Sequence, residues 1–75
     1  MNNSFVLRQA RYFAERVKLE AKDDVTVQVS LAYRQAFGRP PTPAETSRAV
    51  ALVRKHDLEN LCWVLLNASE FLYLR

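Results

Sequence analysis

The 75 residues include one glycine, one cysteine, one histidine and one tryptophan. Each scarcity excludes something. A single glycine leaves no Gly-rich phosphate loop and argues against an all-β fold built on many tight turns. A lone cysteine, Cys62, permits neither an intrachain disulfide nor a multi-cysteine metal site, so it assigns no compartment. On its apolar face it reads as a small buried hydrophobe. The lone histidine, His56, has no convergent partners and reads as an end-of-helix residue. No apolar run approaches the ~18 residues of a membrane span. Met1-Asn2-Asn3-Ser4 lacks a basic segment leading into an apolar one, so this chain shows no signal peptide and its localisation stays open.

Charge is not in great excess either. Eleven Lys and Arg against eight Asp and Glu give a net +3. The two signs are interleaved, which describes a solvated mixed surface and permits an acidic partner without demanding one. What the chain has in quantity is apolar residues, 49% of the total. That is ample for one core, although a domain this small buries only about 60–65% of its unfolded surface.

The local signals are densest from Leu31 to Glu45. Gly38 takes a positive φ without a Cβ clash and ends a helix. Pro40 and Pro41 cannot continue one. Thr42 offers a capping hydroxyl, Pro43 suits the first helical position, and Glu45 completes a capping box. Arg34, Gly38, Arg39, Thr42 and Glu45 are the candidate structural corner, with Glu70 reaching it from the C-terminal tail to pair with Arg39 or Arg34.

Helical spacing predicts a first helix over 4–21, with Val6, Ala10, Phe13 and Val17 inward and Asn3 or Ser4 as cap. Phe5, Leu7 and Tyr12 widen that apolar side. Arg8, Arg11, Glu15, Lys18 and Lys22 form a charged stripe facing water, with Arg11–Glu15 and Glu15–Lys18 as neighbours. The segment 25–37 fits two patterns. Val25, Val27, Val29, Leu31 and Tyr33 alternate as in a strand, while Val25, Val29, Ala32, Tyr33 and Ala36 share a helical face. No other segment offers a partner strand, and a lone strand leaves its backbone unpaired, so helix is the reading. A third helix spans 43–55 and a fourth 58–67, capped by Asp57. Being apolar on nearly every side, the fourth belongs at the centre. Ser69 caps one further turn, and the tail to Arg75 docks.

The expected fold is therefore all-α: one domain, 1–75, a compact bundle of four short helices with a docked C-terminal tail. The expected core includes Phe13, Val17, Val29, Tyr33, Phe37, Leu52, Leu61 and Leu65. No nucleophile–base pair, phosphate loop or metal-ligand spacing is present, so the chain reads as neither an enzyme nor a cofactor binder.

Two readings of function follow from the residues. One is a structural or interaction module that packs on a parent domain or a protein partner, or self-associates. Its candidate contact residues are Trp63, Tyr73 and Leu74, the apolar surplus that so small a bundle cannot enclose. The alternative is a basic helical module binding nucleic acid or another polyanion, with the second and third helices imitating a helix–turn–helix. The proline-stiffened linker and the few base-reading side chains at the start of the third helix disfavour it.

Three stretches carry a resemblance to a known family. Met1-Asn2-Asn3-Ser4-Phe5-Val6 with Gln9-Ala10 and Ala14-Glu15-Arg16 is similar to an "L-N-D-x-F-V…Q-A…A-E-R" run. Ala32-Tyr33-Arg34 through Gly38-Arg39-Pro40-Pro41-Thr42-Pro43-Ala44-Glu45 is similar to "A-Y-R…L-G-R-x-P-T-x-E-E". Leu61 through Tyr73 is similar to "L-x-x-x-L-L-N-S-x-E-F-L-Y". In this order they resemble the C-terminal end of large planctomycete proteins of unknown function that often accompany a cytochrome-c-like domain (domain of unknown function fifteen-fifty-three). The resemblance implies that the chain is the last segment of a long, exported architecture of unestablished activity. The chain departs from the family in the link between the third and fourth helices, which is only Lys55-His56-Asp57 here and longer there.

Overall fold

The computed structural model describes residues 4–73, with side chains described as far as Ser69. Four helices follow one another: α1 (Ser4–Ala21), α2 (Val25–Phe37), α3 (Pro43–Lys55) and α4 (Leu58–Tyr73). The radius of gyration, 11.5 Å, matches the roughly 11 Å of a folded chain this long. Segment 25–37 is helical, and no strand occurs among the described residues.

The packing explains why each helix buries the face it does. Val6, Ala10, Phe13, Ala14, Val17 and Ala21 of α1 are buried, at the 3.6-residue period of one face. They meet Val29, Ala32 and Tyr33 of α2 and Leu58, Leu61, Cys62 and Leu65 of α4 in one core. Of the expected core, Phe37 and Leu52 are only partly buried and pack against its edge. α2 and α4 each touch the three other helices, whereas α1 and α3 do not meet. The four helices thus form two triangles that share the α2–α4 edge. α3 gives the core a single fully buried residue, Ala49.

α4 differs from expectation at its C-terminal end. It continues through Asn67 and Ser69 to Tyr73; Ser69 does not cap a separate turn. The side-chain hydrogen bonds show why. Asn67 Nδ2 donates back to the Trp63 carbonyl at 2.9 Å, and Ser69 Oγ donates across to the Ala36 carbonyl at 3.2 Å. Asn67 bonds back one turn along α4 and Ser69 bonds outside it, so neither ends the helix, and no Gly or Pro interrupts it. The bond from Ser69 also satisfies one of the carbonyls that α2 leaves open at its end. The docking of the tail and the placement of Glu70, Tyr73 and Leu74 fall on side chains outside the described residues.

Candidate interaction surface

The α2–α3 corner is built as its sequence predicts. Gly38 sits at φ 71°, and its N–H donates to the Arg34 carbonyl at 2.9 Å. The Glu45 N–H donates to Thr42 Oγ1 at 3.1 Å, and the Thr42 N–H donates to Glu45 Oε1 at 2.9 Å. This is a reciprocal capping box. Arg39 closes the corner with both ends of its guanidinium, donating to Glu45 Oε1 at 2.8 Å and Oε2 at 3.0 Å. Its Cζ lies 5.6 Å from the Phe37 ring centre and 5.9 Å from that of Tyr33. The hydrogen bonds from Arg39, then that from the Thr42 N–H, hold the Glu45 carboxyl down at about 2. The same pairing raises the Arg39 guanidinium above its ordinary value.

Beside this corner a groove of about 900 Å³ runs between α2 and α4. Tyr33, Phe37 and Arg39 line one side, and Val64, Leu65 and Ala68 the other. Its volume lies within the range of ligand sites. Among the described residues its chemistry does not match one: Arg39 and Glu45 neutralise each other, and no other acid–base pair lines the space. Arg34 borders it as an exposed cation.

The other candidates for chemistry are quiet. Cys62 is fully buried, and burial pushes its thiol up to about 12, far from a reactive thiolate. His56 is exposed and ends α3, its N–H donating to the Leu52 carbonyl at 2.9 Å. Among the described residues no group of His, Cys, Asp and Glu could hold a metal ion. No helix there is long and apolar enough to cross a membrane.

Of the expected contact residues only Trp63 has a described side chain. Trp63 is partly buried and packs against the core. On α1, by contrast, Phe5, Tyr12 and Leu19 stand 59%, 49% and 76% exposed. Phe5, Tyr12 and Leu7, itself 42% exposed, therefore do not widen the core face. Positions 5, 12 and 19 repeat every seven residues, which aligns them in one stripe about 21 Å long on the side away from the core. Arg8 and Glu15, both exposed, lie along one flank of that stripe. The expected Arg11–Glu15 pairing is not made: Arg11 reaches Glu59 of α4, at 3.8 Å. Neither Arg8 nor Glu15 has an ion-pair partner among the described residues. The seven-residue spacing was present in the sequence, but only the packing shows which way it faces.

No protein-family model matches the chain, and comparisons with curated proteins and with solved structures find no significant match to it.

Proposed function

We propose that this domain is a helical interaction module that works by contact, packing on another protein surface through the outer face of α1. The carrying observation is the Phe5–Tyr12–Leu19 stripe. Single exposed apolar residues are ordinary. Three large ones in line, at the helical repeat and opposite the buried face, form the kind of seam by which helices associate. The described core does not use them, since the buried face of α1 is supplied by its other side. The family resemblance supports the same reading, because a C-terminal helical segment of a long protein has neighbouring domains to pack on.

The test is a photoreactive benzoyl-phenylalanine at position 12, with one at exposed Ala51 as control. Irradiation is expected to give a discrete adduct at position 12 and none at position 51. The adduct disappears when Phe5 and Leu19 are both changed to Ser, while the melting temperature of that variant stays within ~2 °C of the parent. A clean monomer at position 12 would remove the contact reading. So would a large fall in melting temperature, which would make the stripe part of the fold.

A further inference from the structure

We infer that the surface which covers the α1 stripe is a second copy of this chain, laid antiparallel with Tyr12 at the two-fold axis. The inference rests on the reading of α1 as a contact face and names its partner. The argument is the symmetry of the pattern. Phe5 and Leu19 lie seven residues either side of Tyr12. An antiparallel pair centred on Tyr12 therefore sets Tyr12 on Tyr12 and Phe5 on Leu19, so that each exposed apolar side chain of the stripe meets another.

The charges fit the same register. In an antiparallel face-to-face pair, the flank of one helix meets the same flank of the other. Arg8 lies four residues before Tyr12 and Glu15 three after. With a rise of about 1.5 Å per residue, each Arg8 comes within about 1.5 Å of the height of Glu15 on the second copy. Two Arg8–Glu15 pairs form by symmetry, from groups that have no ion-pair partner among the described residues. Parallel two-fold pairing would instead carry the Arg8–Glu15 flanks of the two copies to opposite edges of the contact, where neither pair can form. Arg16, on the opposite flank, lies over the ring of Phe13 in its own chain at 5.9 Å, and no pairing is assigned to it. A contact along one 18-residue helix is small, so the dimer is expected to be weak.

Sedimentation equilibrium of the full chain, from roughly 10 μM to 1 mM at low salt, tests this. The parent is expected to pass from monomer to dimer in that range. Arg8→Glu and Glu15→Arg, alone, each set like charges at both ends of the contact and should weaken dimerisation at least ~10-fold. An equimolar mixture of the two single variants should dimerise as heterodimer, and the double variant R8E/E15R should recover the parent's affinity. Both positions are exposed, so melting curves should be unchanged. A parent that stays monomeric at 1 mM overturns self-pairing; a Tyr12 adduct to a different protein would then still support the contact reading. A parent that dimerises while the mixture does not overturns the antiparallel register.

Discussion

The two corners on either side of α2 meet the same requirement with different residues. Both end a helix with a residue in the left-handed region, Lys22 at φ 58° and Gly38 at φ 71°. At the second corner that residue is glycine, which bears no penalty there. Most of the groups that satisfy the turn lie within twelve consecutive residues, Arg34 to Glu45, and Ser69 of α4 adds a bond to the Ala36 carbonyl. At the first corner a lysine takes the strained conformation. Asp24 Oδ1 accepts from the Val27 N–H at 3.2 Å and caps α2. The Lys22 carbonyl is satisfied from within the bundle, by Nε2 of Gln28 at 2.6 Å. Gln28 is the one buried polar residue of the described core. The first corner depends on a buried side chain six residues away; the second depends on exposed side chains of the turn, with one long-range bond added from Ser69.

The largest expected effect is at the first corner. Gln28→Ala removes a buried donor, leaves the Lys22 carbonyl without it and opens a space, which costs about 1–3 kcal/mol by chemical denaturation. Loss of less than half a kilocalorie would show that the first corner does not depend on Gln28.

Next comes a pair of opposite sign. Gly38→Ala is expected to cost about 1 kcal/mol. A methyl there meets no atom within 4 Å, so the cost is that of the backbone conformation alone. Lys22→Gly relieves the corresponding strain and should stabilise by up to about 1 kcal/mol. Denaturation midpoints that move in the same direction would remove the contrast between the corners.

The smallest effect is in acid. The Glu45 carboxyl is held at about 2 by Arg39 and the Thr42 N–H, below the roughly 4.3 of a free glutamate. Because the folded value is the lower one, its contribution is complete above about 4.5 and is lost as pH falls towards 2. Solvent reaches this pair, so the contribution is modest. Comparing melting temperatures at pH 7 and pH 3, the loss in the parent should exceed that in Glu45→Gln. Equal losses would place the acid sensitivity elsewhere.

The same contrast explains what could be read in advance. Gly38, Thr42 and Glu45 act on backbone groups three or four residues away, so their roles were legible, as were the helix limits that they set. Asp57 is a further case, its Oδ1 accepting from the Asn60 N–H at 2.7 Å. Gln28 gave no signal, because its acceptor lies six residues back around a turn. Ser69 was read as a cap because serine favours that role; its actual acceptor is 33 residues away. The α1 stripe was half legible. Its period stood in the sequence, but Phe5 and Tyr12 are apolar like their buried neighbours. Only the positions of α2 and α4 decide which side of α1 is covered.

The absence of contact between α1 and α3 has a consequence for how this sequence can change. The outer face of α1 and the capped corner that begins α3 lie on helices that do not meet, with α2 and α4 between them. Substitutions at such separated places add independently. A lineage could therefore rewrite positions 5, 8, 12, 15 and 19, acquiring or losing a partner, while the Arg39–Glu45 corner keeps the same residues and the same stability. The outer face of α1 and the capped corner thus stand on helices that do not meet.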